Sequence, residues 1–192
     1  MLSDKKLLVI TVEKILLLAV WSGAKIKPNY IYTDDLSSAW IFVRPGLREF
    51  LDYCFANFRV GLWTEYQPEM VMDALKRIYG DEWSDDRLEF LLTSSDLVPV
   101  SDNRFDIEGM FRLRSRCKSL DVIADLGYSQ EEVIIIDSDP KVWEPYGRIP
   151  PETWVLADNL IIGFGSIIIG DKLFKHNDRS LMRLTKQLRK HL

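Results

Sequence analysis

The chain has little cysteine and little histidine: two of each in 192 residues. Cys54 and Cys117 are too few for a disulfide framework. Neither they nor His176 and His191 fall at the spacings that hold zinc. Both thiols are therefore expected reduced, and both histidines at the surface. An excess of positive charge is also lacking. Lys and Arg total 25 against 29 Asp and Glu, a formal net charge of −4, which argues against general affinity for nucleic acid. No apolar run reaches the roughly 20 residues that a membrane-spanning helix needs. Leu7 to Trp21 is interrupted by Glu13 and Lys14, and Leu160 to Ile169 by Gly163 and Gly165. Neither a secretory signal nor an Arg/Ser-rich transit peptide is expected at the N-terminus. Repeats and low-complexity tracts are missing as well. What remains is an ordinary globular composition, 47% apolar and 28% charged, with enough chain for one compact core.

Leu7 to Val12 is a continuous apolar run flanked by charge, the pattern of a strand buried on both faces of a parallel sheet. The apolar stretch Ile15 to Trp21 extends toward a second strand. Ser22 to Leu36 carries Gly23, Pro28, Asn29, Asp34 and Asp35 and reads as loop or hairpin. Trp40 to Val43 is a short strand ahead of the turn Arg44-Pro45-Gly46. In Leu47 to Phe58 the apolar residues Leu47, Phe50, Leu51, Cys54, Phe55 and Phe58 recur at three- and four-residue steps, which predicts an amphipathic helix. Arg59 to Trp63 is a buried strand. Glu69 to Tyr79 is a helix opened by Pro68 and closed by Gly80.

Asp81 to Asp106 is polar and less regular, with Leu88 to Thr93 readable as strand or short helix. Leu120 to Leu126 is a helix fragment ending at Gly127. Val133 to Ile136 has the strongest strand signal in the chain by β-branching. Trp154 to Ala157 is a further short strand. Asp178 to Leu192 forms the terminal helix, with Asp178 as its expected cap and Leu181, Leu184 and Leu188 as its apolar stripe. Its basic residues Arg179, Arg183, Lys186, Arg189 and Lys190 read as a solvated face.

Strands alternating with helices imply an α/β fold with a mostly parallel central sheet covered on both faces. Ligands bind such sheets beyond the C-terminal ends of the strands. Three polar stretches land there: Thr11-Val12-Glu13, Thr64-Glu65 and Asp137-Ser138-Asp139.

The order of these stretches resembles the haloacid-dehalogenase superfamily, and within it the phosphatases of the RNA polymerase II C-terminal domain. Val43-Arg44-Pro45-Gly46-Leu47-Arg48-Glu49-Phe50-Leu51 is similar to that family's R-P-G-x-x-E-F-L segment. Val60-Gly61-Leu62-Trp63-Thr64-Glu65 resembles its second motif, which ends in Thr or Ser. Lys118-Ser119-Leu120 resembles the segment carrying the family's phosphate-binding lysine. Ile134-Ile135-Ile136-Asp137-Ser138-Asp139-Pro140 resembles its acidic fourth motif, D-[DN]-S-P. Val9 to Glu13, Trp21-Ser22 and Ile135 to Pro140 are also similar to the receptor subunit of the mitochondrial presequence translocase. Phe42 to Trp63 is more like plant, cytoplasmic or nuclear members.

The resemblance implies a single domain over 1–192, a three-layer sandwich of the haloacid-dehalogenase type, with the less regular segment around 81–110. It also implies a chemistry. The family's first motif, D-x-D-x-T, supplies an Asp that attacks phosphorus and a second Asp that serves as general acid and base. On this sequence those positions are Thr11 and Glu13, and the motif's Thr is Ile15. A neutral hydroxyl offers no charge to Mg²⁺, an ion that seeks oxygen ligands and usually carboxylates. The family's metal-binding Asn or Asp aligns with Ser138, leaving Asp137 and Asp139 as metal candidates beside it. Thr64 and Lys118 remain as phosphate-binding candidates. Plainer roles stand beside these: Thr64 as a helix cap, Lys118 as a surface or salt-bridged lysine, Glu13, Asp137 and Asp139 as polar strand ends. Trp83, set among Asp81, Glu82, Asp85 and Asp86, is the expected exposed aromatic of a partner surface, while Trp40, Trp63 and Trp154 are expected in the core.

The expectation is a catalytically inactive phosphatase-like domain that binds protein partners or serves as a subunit of a larger assembly, in mitochondrial protein import by preference. No cofactor, nucleic acid or membrane span is expected. The sequence does not name a compartment; the expectation is intracellular, mitochondrial ahead of nuclear or cytoplasmic. Two alternatives stay open: an active Mg²⁺-dependent protein serine/threonine phosphatase with an altered acidic site, and a noncatalytic binder of phospho-ligands through Thr64 and Lys118.

Overall fold

The structure, a computed structural model, describes residues 5–21, 27–35, 37–99, 116–137, 142–144, 154–156 and 179–192. Its central sheet grows from β1 (Leu7–Thr11), whose five residues are all buried. Two strands flank β1 in parallel register: β5 (Arg59–Trp63), with Thr11 beside Trp63, and β9 (Val133–Asp137), with Ile10 beside Ile136. β6 (Phe90–Leu92) and β11 (Trp154–Leu156) add to the outer edges, giving the order β11-β9-β1-β5-β6, parallel throughout.

A strand turns alternate side chains to opposite faces, and here the two faces build two cores. Leu8 and Ile10 of β1, Val60 and Leu62 of β5, and Ile134 and Ile136 of β9 point to one side. There they meet the apolar stripes of α1 (Leu47–Asn57), α2 (Pro68–Tyr79) and α4 (Ser180–Leu188). Leu7, Val9, Trp63, Val133 and Ile135 point to the other side, against Leu120 and Ile123 of α3 (Leu120–Asp125) and Trp143. Helices on both faces of one parallel sheet make the three-layer α/β sandwich. Each large aliphatic side chain so buried contributes roughly 1.5–3 kcal/mol.

The elements follow from local chemistry. Gly46 precedes α1 at φ 76, a left-handed conformation that side chains other than glycine resist. Pro68 opens α2, where a missing N–H costs nothing. The loop-or-hairpin stretch ahead of Trp40 contains β3 (Tyr30–Thr33), which pairs antiparallel with β4 (Ser38–Val43). β2 (Leu17–Val20) lines the other side of β4. The ambiguous stretch Leu88 to Thr93 is strand at Phe90–Leu92, because the exposed edge of β5 offers it a ladder. β7 (Val98–Pro99), β8 (Arg116–Ser119) and β10 (Trp143–Glu144) form a third, small sheet, in which Trp143 lies in register with Lys118. The expected cap Asp178 lies outside the described residues, as do Ser138, Asp139 and His176. No helix among the described residues is long and apolar enough to cross a membrane.

Candidate functional site at the strand ends

Thr11 and Asp137 end adjacent strands on the same face of the sheet, as the alternation of β1 and β9 requires. The Thr11 hydroxyl donates to Asp137 Oδ2 at 2.6 Å. β8 delivers Lys118 to the same point. Its ammonium donates to Thr11 Oγ1 at 2.6 Å and to Asp137 Oδ2 at 3.1 Å. β10, in register with β8, delivers Trp143, whose indole N–H donates to the same Oδ2 at 2.9 Å. One carboxylate oxygen thus accepts from a hydroxyl, an ammonium and an indole. Thr11, Lys118 and Asp137 are at most 5% exposed, and Trp143 is fully buried. Trp143 also stands edge-on to Trp63, with ring centroids 5.2 Å apart, and lies beneath the Lys118 ammonium at 5.6 Å. Burial of an ion pair is tolerable only with such complete hydrogen bonding.

Glu13 lies two residues past Thr11, on the turn that leaves β1. That turn is tightly tied. Lys14 takes a positive φ of 65, its N–H bonds Leu17 O at 2.8 Å, and Leu16 N–H returns to Val12 O at 3.0 Å. Arg44, only 1% exposed, clamps it from outside with Nη1 on the carbonyls of Lys14 and Ile15 at 3.2 and 3.1 Å. The Glu13 carboxylate therefore points at the end of β5. Its Oε1 accepts from the Thr64 hydroxyl at 2.5 Å, from Glu65 N–H at 2.7 Å and from Tyr66 N–H at 3.1 Å. Tyr66 is held in turn by Ala19 N–H, which donates to its Oη at 3.1 Å. Burial pushes the Tyr66 phenol far above its ordinary range, with the charges of Glu13 and Glu65 adding to the rise.

The sequence-predicted residues thus fall into two groups, Thr11–Lys118–Asp137 and Glu13–Thr64. One plainer expectation is corrected. Thr64 does not cap α2: Gln67 occupies the N-cap position with no side-chain hydrogen bond, and the Thr64 hydroxyl serves Glu13 instead. For Lys118 the salt-bridged half of the plainer reading holds and the surface half does not: β8, paired on both sides, turns it inward to Asp137, 3.1 Å away. Trp83, expected exposed, is half-buried against Phe55 and Tyr79, with ring centroids 6.2 and 5.5 Å away. The gain from covering aromatic surface outweighs the pull of its acidic neighbours. Trp63 is in the core as expected, whereas Trp40 is half-buried. Trp143 and the N–H groups of Glu65 and Tyr66 were missed. Trp143 carries no local signal, since it reaches Asp137 only through the pairing of β10 with β8.

The resemblance implies Mg²⁺, and of its metal candidates Asp137 alone lies among the described residues. Its Oδ2 and the Thr11 hydroxyl are bonded to the Lys118 ammonium, whose charge offsets that of the carboxylate. No group of three or more His, Cys, Asp or Glu side chains that could hold a metal ion is found among the described residues.

A parallel sheet with helices on both faces, and polar strand ends gathered around one lysine, define an α/β sandwich of the haloacid-dehalogenase type. The chain belongs to the NLI interacting factor-like phosphatase family, whose description matches residues 6–161. Over 36 residues it is 50% identical to the CTD phosphatase-like protein 355R of Invertebrate iridescent virus 3, a match spanning 19% of each chain. The fold is similar to that of the fission yeast RNA polymerase II CTD phosphatase Fcp1 bound to beryllium fluoride. That similarity has a TM-score of 0.51 and 16% identity, and covers 98% of this chain and 50% of the other. A second structure of Fcp1, described as an essential RNA polymerase II CTD phosphatase, gives a TM-score of 0.60 at 15% identity over 97% and 62% of the two chains. The chain therefore spans a half to three-fifths of the solved relatives and a fifth of the viral one.

Proposed function

We propose that this phosphatase-like chain, as a single domain over 1–192, does not hydrolyse phosphate esters and works by binding protein. The observation that carries the reading is the state of the Thr11 hydroxyl. It donates a hydrogen bond to Asp137 and accepts one from the Lys118 ammonium, both at 2.6 Å. An attacking oxygen needs a lone pair aimed at substrate and a base to take its proton. Here Lys118 engages the oxygen, and Asp137 Oδ2 is shared among the Thr11 hydroxyl, the Lys118 ammonium and the Trp143 indole. Thr11 is also only 5% exposed. The same three side chains that would bind and attack a phosphoryl group instead satisfy one another.

The partner class is protein, as it is for relatives named for acting on the C-terminal domain of RNA polymerase II. The setting we propose, on the motif resemblance of Val9 to Glu13 and Ile135 to Pro140, is an intracellular assembly for mitochondrial protein import. The test is hydrolysis of an aryl phosphate with Mg²⁺ present, comparing wild type with Thr11→Val. Both are expected to match the buffer blank. Turnover by wild type that Thr11→Val removes would establish the alternative, an active phosphatase with an altered acidic site.

A further inference from the structure

The basic residues of α4 lie along one line. Residues 179–192 hold five cations and no Asp or Glu, in a chain whose net charge is −4. Arg179, Arg183, Lys186 and Lys190 follow one another at steps of four, three and four, which stacks them on a single helical face. All four are exposed. Leu181, Leu184 and Leu188, on the opposite face, are buried in the core. A tighter helical turn, Arg189–His191, continues α4 and carries the last cation of the stripe. At a rise of about 1.5 Å per residue the stripe runs about 16 Å, with its cations about 4.5–6 Å apart along the axis. Lys6 adds charge at the far end, where its ammonium donates to His191 O at 2.8 Å. Burial first, and then the charges of Lys6 and Lys190, lower the His191 pKa, as a positive field requires.

Helix stability does not account for the stripe. Cations complement the helix dipole in the last turn, as Lys186 does. They oppose it at the first, where Arg179 and Arg183 sit and no acidic residue compensates. Like charges three and four residues apart also repel. We propose that this face docks an acidic, extended segment of a partner protein. Alternate side chains of an extended chain stand about 6–7 Å apart on one side, a spacing that long Lys and Arg side chains can follow. A membrane fits less well. A basic amphipathic helix enters one through its apolar face, and that face of α4 is taken by the core. Nucleic acid also fits less well, because the negative charge on the rest of the chain repels a polyanion that runs past the stripe. Such docking would hold whether or not the strand-end cluster hydrolyses phosphate.

Fluorescence anisotropy of a labelled peptide of alternating glutamate and serine, titrated with the full chain, tests this. Salt at about 0.15 M screens charges beyond about 8 Å, which suppresses diffuse attraction. Wild type is expected to bind. Lys186→Gln with Lys190→Gln should bind at least about tenfold more weakly, a difference of about 1.4 kcal/mol. Lys27→Gln with Lys76→Gln removes the same charge from exposed positions off the stripe and should leave affinity within about twofold. A glutamine–serine peptide should not bind wild type. No binding of the glutamate peptide by wild type, equal losses in the two double variants, or equal binding of the glutamine peptide overturns the proposal. Tighter binding of oligothymidylate or of phosphatidylserine vesicles than of the glutamate peptide overturns it too, and assigns the face to nucleic acid or to membrane. Aryl phosphate turnover in the same samples bears on the nonhydrolytic reading alone.

Discussion

Lys118 holds its ammonium 2.6 Å from the hydroxyl of Thr11, with both side chains almost wholly withdrawn from water. In that position the lysine depends on Asp137, 3.1 Å away, for its counter-charge. Removing one member of a buried ion pair leaves the other charge uncompensated, at a cost of about 3–5 kcal/mol. Replacing both with apolar residues is much milder. Lys118→Met should therefore lower unfolding free energy in urea by about 3–5 kcal/mol. The double variant Lys118→Met with Asp137→Leu should recover a large part of that loss. Equal losses in the single and double variants would show that the ion pair is not the source.

How much of this was legible before the structure depends on the range of each interaction. β1 and β9 are mostly buried aliphatic residues and β5 is buried from Val60 to Trp63, and their sequences suffice to identify them because both faces of the sheet are covered. α1 and α2 carry a stripe and clear punctuation at Pro45-Gly46, Pro68 and Gly80. The meeting of Thr11 with Asp137 followed from parallel strands ending together. The inward turn of Lys118 did not, since β8 is a short polar strand whose sidedness is set by β7 and β10. Nor did the choice of Thr64 between helix cap and carboxylate partner. A cap is a local bond, whereas Glu13 arrives from 51 residues away through the tied turn at Lys14.

Alkaline pH should weaken the fold through tyrosine. The Tyr128 pKa is raised to about 12, first by burial and then by its hydrogen bond to Glu89, 2.6 Å away, while Arg59 over its ring opposes the rise. The unfolded phenol ionises near pH 10. Between the two values the folded chain binds more protons than the unfolded one, so stability falls as pH rises. The Tyr128 contribution is fully present below about pH 10 and is lost as pH climbs through about 12. The urea midpoint of wild type should therefore fall more steeply than that of Tyr128→Phe between about pH 9 and about pH 11. Parallel slopes would refute the assignment.

Thr11→Asp tests the charge count at the end of β1. In wild type Lys118 and Asp137 balance each other and Thr11 adds nothing, so the cluster has no net charge to offer a divalent cation. An aspartate at position 11 adds one negative charge beside Asp137 and supplies a second carboxylate, the ligand type Mg²⁺ prefers. Lys118 would then serve two carboxylates and no longer neutralise the group. Mg²⁺ should consequently raise the melting temperature of Thr11→Asp and leave wild type unmoved, since a ligand bound only by the folded state stabilises it. That gain is about 2.7 kcal/mol when the ion is present at about a hundred times its Kd. Ca²⁺ and Na⁺ at matched ionic strength separate specific binding from screening. A Mg²⁺-dependent shift already present in wild type would mean that the cluster carries net negative charge as it stands, and that Lys118 does not neutralise it.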